Sequence, residues 1–449
     1  MDFFFSEWLN RKHALKSHLV RSAVGSFAIK ITSTGLTFLS TVFLARLLGT
    51  EGFGTYAFCI SLVTILSILA MFGLPMLTVR EIPAYKAQKE YGLVKGFIIT
   101  AFQAGTFFSF CIIIIVAILA YFKLIPLGIP SSGVFWLSLL LLPLSSLINI
   151  SGAILRGLQH IISGQVDQTI RFGLFIFFLL FYIVMPSMNL TPFKAMGFFL
   201  TATGLTATIM VYLLVKALSS DVKQAVPAYK TRTWLYKAMP LLMAMGVTIL
   251  NNEISVIMLG ILGSVENVAH FRVAQRGAEL VMFGLVAVNM TIAPTISSLY
   301  TTSQMEKLQQ VITQSARSVI AYSFPVALFL IFTGPWLVPL VFGEQYQGSV
   351  TLLVVLCVGQ MVNTFMGSVG IILNMTHNER LTAKGVAIGA LCALILNMIL
   401  IPRFGAMGAA IASITSMILW NVLLAIWIYK KLGLTTLAFN KKYYNIKLI

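Results

Sequence analysis

Charged residues are scarce in this sequence: Asp, Glu, Lys and Arg make up only 10% of the 449 residues, whereas 58% are hydrophobic. Soluble domains contain about 25% charged residues, so this chain has too little polar surface to cover a water-soluble globule. The composition excludes a disordered protein and argues against a cytosolic enzyme or a nucleic-acid-binding protein. It indicates an integral membrane protein with many spans.

Cysteine and histidine are also rare, with four and five residues. The cysteines lie inside apolar runs and form no C-x-x-C pair, which is typical of small buried side chains rather than of a disulfide framework or a metal site. The sequence contains no H-E-x-x-H motif and no P-loop, so it indicates neither a zinc enzyme nor a nucleotide-driven pump. We predict no bound cofactor. Transport would then draw on the substrate gradient or on a gradient of H⁺ or Na⁺.

Acidic residues are the scarcest charged class. Only 13 Asp and Glu stand against 31 Lys and Arg, which gives a formal net charge of +18. In a membrane protein this excess follows from the positive-inside rule. If the N-terminus is cytoplasmic, the opposite loops carry only Lys123, Lys194 and Arg403. We therefore predict that both termini are cytoplasmic, and the basic balance needs no nucleic-acid partner.

Hydropathy predicts an all-α polytopic fold with about twelve spans, in two halves of about six spans each. The longest cytoplasmic segment, 218–237, separates an N-lobe at 22–217 from a C-lobe at 238–430. An amphipathic segment at 1–21 and a basic tail at 431–449 flank the lobes. The predicted spans are 22–48, 53–79, 96–121, 133–154, 166–186, 193–217, 238–262, 267–299, 313–334, 349–374, 382–401 and 406–430.

The first turn of each half has a similar sequence. LLGTEGFGTYAF (47–58) and ILGSVENVAHFRV (261–273) both place Leu-Gly-Thr/Ser before a short turn and an aromatic residue. Internal repeats of this kind are typical of transporters in which two bundles rock around a site between them.

Polar residues recur along one face of the first span. Lys30, Ser33, Thr34, Thr37 and Thr41 follow helical spacing, and such a stripe should face a wet cavity. Alternatively, the hydroxyl groups bond to their own helix and the lysine reaches the cytoplasmic surface. Arg46 lies on the opposite face, near the outer end of this span. It either reaches the membrane surface or lies in the cavity.

The eighth span carries Arg272, Gln275, Arg276 and Glu279 on one face. Two arginines one turn apart repel each other unless water or an anion lies between them. Arg also grips phosphate through a planar fork of donors, and Glu279 can pair with Arg276. We interpret this face as an anion-binding site. The alternative is an ion-pair network that only holds helices together.

Three other groups of polar residues are candidates. Glu253 in the seventh span can take up and release a proton, or it can pair with a basic residue of a neighbouring helix. Asn149 and Asn363 are amides of the kind that bind sugar hydroxyls, although interhelical hydrogen bonding is the alternative. Asp167 and Arg171, four residues apart, are expected to form a structural pair.

ARLLGTEGFGTY (45–56) resembles the signature at the first outer turn of polysaccharide flippases. These form the O-antigen and polysaccharide branch of the multidrug/oligosaccharidyl-lipid/polysaccharide (MOP) exporter superfamily. The resemblance covers nearly the whole chain in the same order. The further matching segments are ILRGLQ (154–159), IMLGILG (257–263), RVAQRGAELVMFGLVAVNMTIAPTISSLY (272–300), VFGEQY (341–346) and RFGAMGAAIAS (403–413).

The resemblance implies a bacterial inner-membrane flippase with a cavity between two lobes. Its substrate would be an undecaprenyl-pyrophosphate-linked oligosaccharide, and its surroundings would include membrane lipids, a polysaccharide polymerase and a chain-length regulator. A monomer is expected. Lipid II flippases of the superfamily use basic residues of spans 1 and 8 for the pyrophosphate, and Lys30, Arg272 and Arg276 occupy comparable helices. Family members often place an acid where Ser255 stands here, and Glu253 lies on another face.

We therefore predict a non-enzymatic flippase that works by alternating access. A small-molecule or drug antiporter of the same fold is one alternative, although its cavity should be rich in carboxylates and aromatic rings. A membrane polysaccharide polymerase is another, but such enzymes usually carry a sizeable extramembrane loop. The predicted binding residues are Lys30, Arg46, Asn149, Arg272, Gln275, Arg276 and Asn363, and the predicted ion-coupling residues are Glu253 and Glu279.

Overall fold

The computed structural model describes residues 2–122, 133–184 and 189–438, and all regular secondary structure in these ranges is helical. Lys123 and the predicted basic tail beyond residue 438 lie outside the described residues, as do the side chains of the predicted N-terminal amphipathic segment.

The helices are long and apolar, as the hydropathy pattern predicts. Within the described ranges, ten helical segments have the length and composition to cross a membrane, and the pairs α4–α5 and α12–α13 each make one of them. In chain order the helices are α1 (Asp2–Met71), α2 (Leu74–Ala87), α3 (Tyr91–Tyr121), α4 (Gly133–Leu139), α5 (Leu141–Gly157), α6 (Asp167–Val184), α7 (Pro192–Ala217), α8 (Ser220–Gln224), α9 (Thr231–Leu262), α10 (Val265–Thr301), α11 (Met305–Phe342), α12 (Ser349–Met366), α13 (Val369–Met375) and α14 (Glu379–Leu432).

Helices α1 and α14 are each folded into a hairpin at a glycine. Gly49 has φ 70° and ψ −177°, and Gly405 has φ 53° and ψ −131°, conformations that only glycine adopts without strain. The two arms of α1 line one pocket, and in α14 Ser416 Oγ donates to the Gly389 carbonyl at 2.6 Å. Each hairpin therefore supplies two spans, which confirms the all-α fold of twelve spans. We call the end of the bundle that carries these two turns the turn end.

The apolar cores show how the two lobes meet. A cluster at the turn end draws residues from both lobes, including Phe58 of α1 and Leu259 of α9. The other two clusters lie toward the opposite end. One surrounds Leu77 and is formed mainly by the N-lobe, and the other surrounds Ile312 within the C-lobe. The lobes α1–α7 and α9–α14 thus share a core at the turn end and have separate cores at the opposite end.

The connection between the lobes differs from the predicted loop at 218–237. Its last seven residues, 231–237, belong to α9 because Trp234 is fully buried against the N-lobe and donates from Nε1 to Tyr85 Oη at 3.0 Å. Pro240 follows inside the helix, where its missing N–H allows a bend. The first turns of α9 therefore pack with the N-lobe, and the rest of the helix belongs to the C-lobe.

Candidate functional site

A cavity of about 480 Å³ lies between the two lobes, lined by both arms of α1 and by α5, α6, α7, α9 and α10. Its wall contains apolar and aromatic side chains together with charged and neutral polar groups. The polar lining consists of Lys30, Thr34, Thr37, Thr64, Ser67, Ser145, Asn149, Gln168, Arg171, Glu253, Arg272, Arg276 and Glu279.

At the turn end the two lobes touch backbone to backbone. A Cβ placed on Gly54 of α1 would lie 1.7 Å from the carbonyl oxygen of Val265 in α10, so this approach requires glycine. Beside it, Tyr346 Oη donates to the Ala45 carbonyl at 3.2 Å. We call this group of contacts the seal, formed by Ala45, Arg46, Gly54, Val265 and Tyr346. It closes the cavity at the turn end.

Arg46 lies in the seal and does not line the cavity, which corrects its predicted place. Its Nε donates to the Val341 carbonyl at 2.7 Å, and its Nη2 donates to the Leu340 carbonyl. Helix α11 ends at Phe342. The carbonyls of a last helical turn lack intrahelical donors and attract a cation, so the guanidinium joins the two lobes.

Arg272 is the most enclosed cation of the cavity, with a side chain that is 8% exposed. Its Nη2 donates to Glu253 Oε2 at 2.5 Å and to Ser61 Oγ, and its Nη1 donates to Gln275 Oε1 at 2.9 Å. Glu253 is therefore a charge partner of Arg272 in this conformation. Gln275 holds the guanidinium and lies outside the cavity lining, which corrects its predicted place.

Arg276 and Glu279 form a second ion pair, which is wetter than the first. Their Nη1 and Oε2 atoms are 2.8 Å apart, and the side chains are 27% and 34% exposed. This is the pairing at i, i+3 that the spacing predicts. Arg276 Nε is buried and has no hydrogen-bond partner among the described residues, so the guanidinium retains a free donor beside the cavity.

The polar face of the first span lines the N-lobe wall of the cavity. Lys30 is exposed there, and within the described part of the chain its ammonium makes no hydrogen bond and has no carboxylate within 4.0 Å. Thr37 lines the same wall while its Oγ1 donates to the Ser33 carbonyl at 2.7 Å. The two alternatives for this polar face therefore do not exclude each other, because Thr37 faces the cavity while its hydroxyl group bonds to the backbone of its own helix.

The two candidate asparagines lie in different parts of the protein. Asn149 lines the cavity, and its Nδ2 donates to the Ser145 carbonyl at 2.8 Å, which leaves its Oδ1 and a second N–H for other partners. Asn363 is 5% exposed and lies inside the C-lobe, where it accepts from Asn421 at 3.0 Å and donates to Gln360 at 3.1 Å. Packing of α12 against α14 encloses it, so its predicted place in the cavity is wrong.

Arg171 lies in the cavity wall, although its sequence spacing pointed only to a structural pair with Asp167. No salt bridge within 4.0 Å joins those two described residues. The Arg171 guanidinium instead lies over the rings of Phe172 and Phe199, 5.5 Å and 5.7 Å from their centroids. Gln168 lines the wall beside it. The signal that could have found this group is the i, i+3, i+4 spacing of Gln168, Arg171 and Phe172.

Two six-helix lobes around a charged cavity that is closed at one end are an architecture typical of membrane transporters. The chain belongs to the polysaccharide biosynthesis protein family, whose model matches residues 19–300. No curated protein sequence matches the chain.

The fold is shared with solved transporters. An inward-facing multidrug resistance MATE family transporter of the MOP superfamily has a TM-score of 0.74 at 15% identity, over 92% of this chain and 98% of that one. The lipid II flippase MurJ in an inward closed conformation has a TM-score of 0.71 at 13% identity, over 90% and 87%. A MOP superfamily transporter from Pyrococcus furiosus has a TM-score of 0.64 at 15% identity, over 93% and 96%. The fold therefore matches that of solved MOP superfamily transporters, as the sequence resemblance implied.

Proposed function

We propose that the protein is a flippase that moves an undecaprenyl-pyrophosphate-linked oligosaccharide repeat unit from the cytoplasmic to the outer leaflet of the bacterial plasma membrane, for O-antigen or capsule assembly. The charge of the cavity carries this proposal. Two carboxylates in its lining are outnumbered by four cations, which leaves an excess of two positive charges to attract an anionic head group. The cations are Lys30, Arg171, Arg272 and Arg276.

The same charge argues against export of cationic drugs, which would prefer an excess of carboxylates. A polymerase is also disfavoured, because the described connections between spans are short. The two longest are 72–90, which contains α2, and 218–230, which contains only the five-residue helix α8. The isoprenoid tail of the carrier would remain in the bilayer, since each CH₂ group withdrawn from an apolar phase costs about 0.8 kcal/mol.

The proposed cycle alternates between the two ends of the bundle. The head group enters from the end at which Lys30 lies, which we propose is cytoplasmic, while the seal holds the turn end closed. Opening of the seal then releases it to the outer leaflet. A polysaccharide polymerase and a chain-length regulator would act there on the product of a monomeric flippase.

The anion site can be tested by measuring in which leaflet the glycolipid lies, in cells that lack the chromosomal copy of this protein and carry a wild-type or variant copy instead. With the wild-type copy, the lipid-linked oligosaccharide of intact spheroplasts should be accessible to a membrane-impermeant glycosidase. Arg276→Ala should reduce the rate of exposure roughly 10- to 100-fold, since charge-assisted hydrogen bonds to the pyrophosphate are worth about 1.5–3 kcal/mol. Arg380→Ala, an exposed residue outside the cavity lining, is the matched control.

Two results would contradict this proposal. Glycolipid that is already accessible without the protein would place translocation elsewhere. Wild-type rates with Arg276→Ala at normal protein level would remove Arg276 from the anion site.

We also propose that Glu279 couples the cycle to protons or sodium ions. Its carboxylate is partly exposed to the cavity, and it alternates in this proposal between Arg276 and the ion. Glu279→Gln should therefore flatten the dependence of glycolipid exposure on external pH or sodium concentration. Glu306→Gln, at an exposed position outside the cavity lining, should leave that dependence as it is. An unchanged dependence with Glu279→Gln would exclude Glu279 as the coupling group.

A further inference from the structure

The connection between the two lobes, 218–230, is held against the start of α3. The Ala228 N–H donates to the Gly92 carbonyl at 2.9 Å. A Cβ on Gly96 would lie 1.9 Å from the Ala228 carbonyl oxygen, so the two backbones touch. Val222 of α8 is buried in the core cluster that the N-lobe mainly forms. The connection is therefore a fixed part of the N-lobe surface.

Lys95 of α3 holds the connection at a further point. Its Nζ donates to the carbonyls of Lys223 and Ala225, at 2.7 Å and 3.0 Å, and so satisfies carbonyls at the end of α8. Only the backbone of Lys223 takes part in these bonds, and its side chain is exposed. A substitution of that side chain would therefore leave the connection in place.

The connection lies at the level of the membrane boundary. Gly92 and Gly96 belong to the first turns of the spanning helix α3, which begins at Tyr91. The connection also follows directly on α7, which ends at Ala217, and leads into α9, which begins at Thr231. The ends of three spanning helices thus meet here, where phospholipid head groups surround a membrane protein.

The connection and its flanking residues carry an excess of exposed positive charge. Four exposed cations and one exposed acid lie between residues 216 and 232. They are Lys216, Lys223, Lys230, Arg232 and Asp221. Within the described part of the chain, none of the four cations has a carboxylate within 4.0 Å. Their charge is therefore available to an anionic partner outside the protein.

Exposed apolar and aromatic side chains stand among these cations. Val226 is 85% exposed, Tyr229 55% and Tyr236 83%. Tyrosine is enriched at the membrane–water boundary, where its ring lies in an apolar layer and its hydroxyl group stays in contact with water. Basic side chains next to apolar ones bind anionic lipid surfaces by charge attraction and by burial of apolar area.

We propose that the exposed side of the connection, formed by Lys223, Val226, Tyr229, Lys230 and Arg232, binds anionic phospholipids. The phosphate head groups would contact the three cations, and the acyl chains would cover the apolar side chains. Because the connection is fixed to the N-lobe, bound lipid would hold that lobe in its leaflet. The surface lies outside the cavity lining, so this inference does not rest on the proposed flippase function.

The test measures lipid binding to the purified full-length protein in detergent. Native mass spectrometry gives the affinities for phosphatidylglycerol and for phosphatidylcholine with the same acyl chains. Wild-type protein should bind phosphatidylglycerol roughly 5- to 30-fold more tightly, the range that one or two cations near a membrane surface supply. The triple variant Lys223→Gln/Lys230→Gln/Arg232→Gln should reduce this preference to within about twofold of equal affinity.

The triple variant Lys307→Gln/Arg380→Gln/Lys384→Gln is the matched control. It removes the same charge from exposed positions at the same end of the bundle, beside the C-lobe core cluster. Glu306 and Glu379 directly precede two of these cations and partly neutralise them. This variant should keep the wild-type preference for phosphatidylglycerol.

The apolar part of the surface is tested with Tyr229→Ser. This variant should weaken binding of both phospholipids several-fold and leave the preference as it is, because it removes apolar area and no charge. Thermal denaturation of each variant reports folding.

The outcomes keep this inference separate from the flippase proposal. Equal wild-type affinity for the two phospholipids, or an equal loss of preference in the two triple variants, would overturn the lipid surface and leave the flippase proposal standing. A short-chain polyprenyl pyrophosphate serves as the third probe. If its binding needed Lys223, Lys230 and Arg232 while phosphatidylglycerol showed no preference, the surface would belong to the carrier lipid, and this inference would also be overturned.

Discussion

Gly54→Ala is expected to abolish transport by preventing the seal from closing. The added Cβ would lie 1.7 Å from the carbonyl oxygen of Val265 and 2.6 Å from its carbonyl carbon. Because the obstacle is backbone, no side-chain rotation relieves it, and the helices must separate by roughly 2 Å. Overpacking of this kind costs about 1–3 kcal/mol, which shifts the balance between the two conformations roughly 5- to 150-fold toward the state open at the turn end.

The position of the equilibrium can be measured with a cysteine introduced in place of Thr41, which lines a smaller pocket that shares Thr37, Arg272 and Arg276 with the main cavity. A membrane-impermeant maleimide applied from the turn end should label it slowly in an otherwise wild-type protein and rapidly with Gly54→Ala. Gly35→Ala is the matched control on the same helix, because a Cβ there meets nothing within 4 Å. Equal labelling and transport in the two variants would refute the role of the seal.

Glu253→Gln is expected to destabilise the protein far more than Glu279→Gln. Loss of the Glu253 carboxylate leaves the charge of Arg272, which is 8% exposed, without a counter-ion. Breaking a buried ion pair by removing one partner costs about 3–5 kcal/mol. The side chains of the Arg276–Glu279 pair are 27% and 34% exposed, and pairs that water can reach are worth about 0–1 kcal/mol.

Thermal unfolding of the detergent-solubilised variants measures this difference. Glu253→Gln should lower the midpoint by several degrees, and Glu279→Gln should change it by no more than about one or two. The double variant Glu253→Gln/Arg272→Gln should recover part of the loss, because the unpaired charge is removed as well. Similar shifts for the two single variants would show that the Arg272–Glu253 pair does not stabilise the packing of α9 against α10.

The sequence alone predicted the spans and the two-lobe arrangement. About 20 consecutive apolar residues are a sufficient signal for a spanning helix, since the bilayer requires every backbone group to be bonded within its own segment. It also predicted contacts within one helix, such as Arg276 with Glu279, because the geometry of a helix places residues i and i+3 on one face. For the same reason it identified the polar stripe that contains Lys30.

Only the tertiary structure decided which polar side chains meet in the cavity. Glu253 pairs with Arg272 of the next helix, and Arg46 caps α11, which is nearly three hundred residues away. Asn363 lies inside the C-lobe, whereas Arg171 reaches the cavity wall. The rotation of each helix about its axis determines these placements. That rotation follows from how side chains of neighbouring helices pack together, which hydropathy and spacing along one helix do not specify.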